Sequence, residues 1–253
     1  MRFIDVHCHL GEDVFRKDLD RVLKRAEEAG VVAIITSSLT FKDAEFTLQL
    51  IRKYRGLVYR TVGLDYTILN EDEVDMMASY IEKNRDTIIG IGEVGLDYYI
   101  FRDHRYREKQ RKIFSFWIEF AKSLDMPIVV HSRSAGKYAL NLLFEHRAER
   151  VLMHAFDGRA SYAKMAAEKG YYFSIPPSIA RSEQKRKLVK VLPMDRLLLE
   201  TDSPVLAPTK GERNEPANVV VSAEWISRIK GIPIEVVAEM TCQNAEILFG
   251  VKF

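Results

Sequence analysis

Eight short apolar runs, each followed by a segment of helical periodicity, constrain the fold of this chain more than any other sequence feature. The runs are rich in Val, Ile and Leu without polar alternation, as is typical of parallel strands covered on both faces. The predicted strands lie near residues 3–7, 31–36, 58–63, 88–93, 127–131, 150–154, 171–175 and 196–201. The predicted helices cover residues 16–29, 42–54, 72–85, 105–125, 135–147, 159–169 and 181–191, with two closing helices near 216–230 and 233–248. This alternation predicts an α/β fold, a single (β/α)8 TIM barrel, although periodicity alone also fits an open doubly wound sheet.

The size and composition agree with that prediction. A chain of 253 residues is about as long as one α/β barrel, so we expect a single domain over residues 1–253. A formal net charge of +2 does not by itself indicate a nucleic-acid or membrane partner.

The sequence also bears on the location of the protein. The two cysteines, Cys8 and Cys242, make no disulfide framework, and no apolar signal segment precedes the first strand, so a cytoplasmic location is expected. No apolar run approaches the ~20 residues that span a bilayer. The oligomeric state does not follow from the sequence, and a monomer is our expectation.

Potential metal ligands stand at the ends of five of the predicted strands. His7 and His9 end the first strand, and because alternate residues of a strand face the same side, their imidazoles point the same way. The same construction, an apolar run that ends in a metal-type ligand, recurs at Glu93, His131, His154 and Asp202. In a closed barrel the carboxyl ends of all strands meet at one mouth, whereas an open sheet would spread them along an edge. The ligand pattern therefore favours closure more strongly than the strand count does.

Four histidines and two carboxylates are too many ligands for one tetrahedral ion. Glu93 has two carboxylate oxygens and can bridge two divalent cations, which lower the pKa of a shared water so that it attacks as hydroxide. Asp202 can bind one ion and accept the proton of that water, so Glu93 and Asp202 are the predicted catalytic residues. Glu200, two residues before Asp202, either supports a ligand or is a buried acid with hydrogen bonds of its own.

Basic residues near the predicted mouth bear on the substrate. Arg133 follows His131 by two residues and is the expected phosphate-binding residue. The basic stretches 102–112 and 181–190 also follow strand ends, where they suit a polyanionic substrate or form the solvated sides of helices. The segment Gly90–Gly95 fits G-x-G-x-x-G, but it follows the fourth strand and places Glu93 where a pyrophosphate would lie, so no nucleotide cofactor is expected.

Several segments of the chain together resemble the TatD family of metal-dependent deoxyribonucleases. They are His7-Cys8-His9, Gly92-Glu93-Val94-Gly95-Leu96-Asp97-Tyr98, His131-Ser132-Arg133, His154-Ala155-Phe156-Asp157-Gly158, Leu198-Leu199-Glu200-Thr201-Asp202-Ser203-Pro204, Arg213-Asn214-Glu215-Pro216 and Asn244-Ala245-Glu246-Ile247-Leu248-Phe249-Gly250. The resemblance runs over almost the whole chain, and it implies a barrel of the amidohydrolase superfamily.

The resemblance also implies a site and an activity. One cation would bind His7, His9, Glu93 and Asp202, and the other would bind Glu93, His131 and His154. The implied reaction is hydrolysis of phosphodiester bonds in DNA, often as a 3′–5′ exonuclease, with Mg²⁺, Mn²⁺ or Zn²⁺. The chain departs from the family pattern at Gly63-Leu64-Asp65-Tyr66, where Gly-x-His-Pro is frequent, and at Ser134, where Asp is common. These positions lie at the rim and leave the substrate open.

The sequence leaves two alternative functions open. The same pair of cations could hydrolyse a small lactone, amide or phosphoester. The barrel could instead be a binding module with structural metals, although ligands on five strand ends are more than a closed four-ligand shell requires. The ligand types suit Zn, Mn, Fe or Ni, and Mg less well because it prefers oxygen ligands, so the identity of the metal is open.

Overall fold

The computed structural model describes residues 1–253 and contains one eight-stranded parallel sheet in the order β1 to β8. The strands are β1 (Phe3–Cys8), β2 (Val31–Ser38), β3 (Val58–Val62), β4 (Ile91–Gly95), β5 (Ile128–His131), β6 (Val151–Met153), β7 (Tyr172–Ile175) and β8 (Leu197–Leu199). The helices are α1 (Leu19–Glu28), α2 (Phe41–Lys53), α3 (Glu71–Lys83), α4 (His104–Ser123), α5 (Gly136–Glu145), α6 (Ala160–Glu168), α7 (Glu183–Val191), α8 (Val219–Lys230) and α9 (Ile234–Phe249). The predicted (β/α)8 TIM barrel is confirmed.

The sheet closes where the segment after β8 meets β1. The Asp202 backbone N–H donates to the His7 carbonyl at 2.8 Å, and the His9 N–H donates to the Ser203 carbonyl at 2.8 Å. Deeper in this seam, the Asp5 carboxylate accepts hydrogen bonds from the Thr201 N–H at 2.8 Å and from its hydroxyl at 2.5 Å. The first and last strands are thus joined at the edge that carries predicted ligands.

Two apolar layers support the barrel. Inward-facing residues such as Ile4, Val129 and Leu198 form a buried cluster together with Leu248 and Phe249 of α9. A larger cluster packs the outer faces of the strands against the surrounding helices. The barrel is therefore a filled core that holds its strand ends in fixed positions. No helix is both long and apolar enough to cross a membrane.

The boundaries differ from the sequence-based ones by a few residues, chiefly in β4 and β8. β4 runs from Ile91 to Gly95, past Glu93, since Gly95 still pairs with His131 of β5 after a register shift between Ile91 and Val94. β8 ends at Leu199, because the following residues leave the ladder and Asp202 takes a positive φ of 54° as it turns to β1. Both shifts affect segments that carry candidate ligands.

Candidate metal centre

The structure brings the six predicted ligand residues together at one end of the barrel. His7 lies in β1 and His9 just after it, Glu93 is in the middle of β4, and His131 is the last residue of β5. His154 follows β6 directly, and Asp202 stands three residues beyond β8. We call this group the six-residue cluster: His7, His9, Glu93, His131, His154 and Asp202.

Glu93 lies between two pairs of imidazoles. Its Oε2 is 3.4 Å from the Nε2 atoms of both His7 and His9. Its Oε1 is 2.6 Å from His131 Nδ1 and 2.9 Å from His154 Nε2. Each carboxylate oxygen therefore faces a different pair of nitrogens, which is the arrangement that a bridging ligand needs.

Asp202 completes the first of these pairs. Its Oδ1 is 3.6 Å from His7 Nε2 and 3.4 Å from His9 Nε2. The preceding residue, Thr201, is held by Asp5, and the Asn214 amide donates to the Thr201 carbonyl at 2.7 Å. The buried Asn214 of the Arg-Asn-Glu-Pro segment thus fixes the turn that presents Asp202.

Asp97 and Tyr66 hold His131, and neither was singled out from the sequence. Asp97 Oδ2 is 3.0 Å from His131 Nε2, so His131 can present Nδ1 to Glu93. Tyr66 stacks on the imidazole, with ring centroids 3.7 Å apart and planes 7° from parallel. A carboxylate that binds the far nitrogen of a ligand imidazole is a common support in metal sites. The position of Asp97 just beyond β4, within the Gly-Glu-Val-Gly-Leu-Asp-Tyr motif, was the available signal.

Glu200 is fully buried and has hydrogen bonds of its own. Its Oε2 accepts from the Ser174 hydroxyl at 2.6 Å, and its Oε1 accepts from the Ala155 N–H at 2.8 Å. The same Oε2 is 3.6 Å from His154 Nδ1. The structure therefore contains contacts for both predicted roles of Glu200, as a buried acid with hydrogen bonds of its own and as a support for the candidate ligand His154.

The charges of the six-residue cluster are strongly coupled. Burial opposes ionisation of Glu93, but His154 and His131 outweigh it and hold the pKa of Glu93 well below its usual range. Burial also opposes protonation of His9, yet Asp202 and Glu93 raise the pKa of His9 to about 10. His7 behaves differently, since burial and the neighbouring His154 lower its pKa. The buried carboxylates thus require positive charge beside them.

The donor set fits divalent cations. Both ring nitrogens of His7 and Nδ1 of His154 are buried without a hydrogen-bond partner. Burial of unpaired polar atoms destabilises a fold, and coordination of a metal ion would remove that cost. Three overlapping triads have donor atoms within 4.8 Å of one another: His7, His154 and Asp202; His7, His9 and Glu93; and Glu93, His131 and His154. Imidazole and carboxylate together suit transition-metal ions.

The charged residues around the six-residue cluster differ between the two sides of the rim. On one side, Arg133 is exposed and its guanidinium stacks 3.9 Å from the centroid of the Tyr99 ring. On the other side, a cavity of about 210 Å³ is lined by His9, by acidic residues that include Asp43 and Asp65, and by the basic residues Arg16 and Lys42. A bound polyanion would therefore lie towards Arg133.

Most members of the two basic stretches bind groups of the chain itself. The Arg107 Nε donates to the Phe101 carbonyl at 2.8 Å, and Lys187 lies 2.9 Å from Glu183. Lys185 is buried and donates to two backbone carbonyls. These contacts favour the reading of the stretches as helix sides over a dedicated polyanion surface.

The fold and the donor set define a metal-dependent hydrolase built on a (β/α)8 barrel. The family model described as TatD related DNase matches residues 4–250, and the chain belongs to this family. Its relatives include the deoxyribonuclease TATDN3 of Homo sapiens, 45% identical over 257 residues, which cover 97% of this chain and 94% of that protein. An uncharacterized metal-dependent hydrolase of Methanocaldococcus jannaschii is 32% identical over 96% of this chain and 95% of its own length.

A solved structure shows the same architecture. The crystal structure of YJJV, a TatD homologue from Escherichia coli, superposes with a TM-score of 0.91 at 28% identity and covers 99% of this chain and 98% of that one. The recognition of the TatD family from the sequence is confirmed, and with it the class of enzyme.

Proposed function

We propose that this chain hydrolyses phosphodiester bonds of DNA, as a 3′–5′ exodeoxyribonuclease with two divalent cations in the six-residue cluster. The observation that carries the proposal is the position of Glu93, whose two oxygens face separate pairs of imidazoles. One cation would bind His7, His9, Glu93 and Asp202, and the other Glu93, His131 and His154. Family membership and the name of the human relative support DNA as the substrate.

Each residue of the proposed site would have a distinct role in the hydrolysis. Divalent cations at such a site supply Lewis acidity and lower the pKa of water. Asp202 turns Oδ1 towards His7 and His9, which leaves Oδ2 to take the proton from the attacking water. Glu93 holds the two halves of the cluster at a fixed separation. Asp97 and Glu200 keep His131 and His154 oriented, so the ligand geometry is set before substrate binds.

Arg133 is the proposed phosphate contact. It carries no hydrogen bond to an acid, and its guanidinium lies over the Tyr99 ring, 3.9 Å from the centroid. The cavity on the opposite rim has four acids against two bases, Arg16 and Lys42, and would attract the backbone of the DNA less than Arg133 does. This asymmetry supports a single direction of entry for a strand end.

The test is a degradation time course on end-labelled single-stranded DNA with Mn²⁺, Zn²⁺ or Mg²⁺. We expect a 3′ label to be released at once as mononucleotide, while a 5′ label yields a descending ladder. Asp202→Asn should lower the rate by at least about 100-fold, because it removes a ligand and the proton acceptor. Asp195→Asn, at an acid whose side chain is 60% exposed, is the matched control and should keep full activity.

Three results would contradict the proposal in different ways. Metal-loaded protein that leaves every DNA end intact would refute the nuclease activity. Turnover of small lactones, amides or phosphoesters without DNA cleavage would favour the alternative hydrolase. Metal that is needed for folding in a catalytically silent protein would favour the binding module. Metal analysis of the purified protein, together with its sedimentation behaviour, would test the identity of the cations and the expected monomer.

A further inference from the structure

The loop after β6, residues 154–159, is held by side chains from several other elements. The Ser134 N–H, beyond β5, donates to Asp157 Oδ2 at 2.8 Å. From the first turn of α7, the Gln184 amide donates to the Phe156 carbonyl at 3.2 Å and to the Gly158 carbonyl at 2.8 Å. This loop begins with His154, so its position determines where one of the candidate ligands lies.

The peptide groups on both sides of Ala155 are fixed by buried side chains. The Ala155 N–H donates to Glu200 Oε1 at 2.8 Å, and the Ala155 carbonyl accepts from Lys185 Nζ at 2.6 Å. Ala155 has a φ of 37°, a left-handed conformation that alanine adopts only when its surroundings enforce it. Since Ala155 follows His154 directly, a change in its backbone would turn the imidazole away from Glu93.

Lys185 is a buried lysine beside the loop after β6, which is an unusual environment for an ammonium group. It is only 7% exposed and forms no ion pair, and its Nζ donates to Ala155 and also to the Phe156 carbonyl at 2.7 Å. Burial lowers the pKa of Lys185 to about 8, although Glu200 and Asp157 favour its charged form. Gln184 also donates to the Phe156 carbonyl, whereas the Ala155 carbonyl depends on Lys185.

We propose that Lys185 is a positioning residue for the cation held by His131 and His154. Its ammonium group fixes the Ala155 carbonyl, while Glu200 fixes the Ala155 N–H, and together they hold His154 Nε2 beside Glu93 Oε1 at 2.9 Å. The other half of the cluster, with His7, His9 and Asp202, is built on β1 and the turn after β8. It meets this loop through the His154 ring, 4.0 Å from that of His7, whereas Lys185 itself contacts only the Ala155 and Phe156 carbonyls. The inference rests on the proposed two-cation site and predicts that Lys185 influences one cation far more than the other.

The test is cadmium NMR of the metal-exchanged protein, combined with competitive titration of each bound cation. His131→Asn and His7→Asn assign the two resonances. In Lys185→Met we expect the resonance of the cation at His131 and His154 to shift and its affinity to fall about 10–100-fold, a typical loss when support of a ligand is removed. The other resonance and affinity should change little. Lys185→Arg, which keeps a charged donor, should recover part of the affinity.

Lys187→Met is the matched control, because this lysine lies on the same helix with its side chain 64% exposed and pairs only with Glu183. If Lys185→Met does not fold, Lys185→Gln decides on the same criteria. Equal effects on both cations, no effect on either, or loss of the fold in both variants would overturn the positioning role. Wild-type protein that binds fewer than two Cd²⁺ would refute the two-cation proposal itself, and this inference with it.

Discussion

At the scale of single residues, Arg133 is the proposed phosphate contact, and its side chain lies apart from the candidate metal ligands. Its guanidinium carbon lies 3.9 Å from the centroid of the Tyr99 ring, a contact that leaves its N–H groups available for a phosphate. The sequence placed Arg133 at the mouth from its spacing to His131, whereas the stacking partner depends on where the loop after β4 runs.

Arg133→Ala should weaken substrate binding more than it slows the chemical step. We expect KM for single-stranded DNA to rise while kcat stays close to wild type, because one phosphate contact is lost. The slope of log affinity against log salt concentration should fall by about 0.7, the value for one neutralised phosphate on a single strand. Arg228→Ala, at an arginine on α8 whose side chain is 65% exposed, is the control. A fall in kcat with unchanged KM would contradict a phosphate-binding role.

At the scale of elements, the ligand geometry depends on how closely β4 approaches β5. Gly95 has a φ of 151°, and a Cβ built there would lie 2.1 Å from the His131 carbonyl oxygen. Only glycine therefore allows the end of β4 to pass so close to the residue that carries a candidate ligand. Gly95 is the last glycine of the segment Gly90–Gly95, and its role in the structure is to let β4 pack closely against β5.

Gly95→Ala should destabilise the fold and disturb the metal centre. We expect the free energy of unfolding in urea to fall by about 2–5 kcal/mol, since backbone strain adds to overpacking. Gly56→Ala separates the two effects, because Gly56 has a φ of 87° with no atom within 4 Å of its Cβ position. That control should lose only about 1–2 kcal/mol, the cost of the left-handed conformation, and keep its metal affinity. Equal losses in both variants would show that the close approach to His131 is unimportant.

At the scale of the whole molecule, closure of the barrel and the charge of the mouth are linked. The seam between β1 and the segment after β8 carries His7, His9 and Asp202, so a cation bound there would join the two ends of the sheet. Imidazole nitrogens of His7 and His154 are buried without hydrogen-bond partners, and unpaired buried polar atoms are destabilising.

Metal removal should therefore lower the melting temperature. A cation present at 100 times its Kd should add about 2.7 kcal/mol of stability, which corresponds to a rise in Tm of about 5–10 °C for a chain of this size. The measurement is a thermal unfolding curve of chelator-treated protein with and without added cation. His131→Asn should reduce the shift, whereas His146→Asn, at a histidine that pairs with Glu119 and Ser115, should retain it. An unchanged Tm at saturating cation would argue against the centre.

The alternation of strands and helices follows from the order of residues alone, because buried parallel strands need continuous apolar runs and the helices that cover them need a polar face. The sequence also located His7, His9, Glu93, His131, His154 and Asp202, since ligands of a barrel lie at the carboxyl ends of its strands. Their roles as ligands remain proposals that the experiments above test.

Which atoms come into contact depends on how distant segments pack. Asp97 and Tyr66 contact His131 from the loops after β4 and β3. Lys185, in the first turn of α7, contacts Ala155, the residue after His154. The position of Asp97 in the motif with Glu93 is a signal in the sequence, whereas the spacing of Tyr66 and Lys185 to the ligands predicts neither contact, because each depends on how distant segments pack. The closure of the seam likewise depends on backbone pairing between residues nearly two hundred positions apart, such as His7 and Asp202. Local periodicity fixes elements, whereas the packing of distant segments fixes the orientation of the side chains between them.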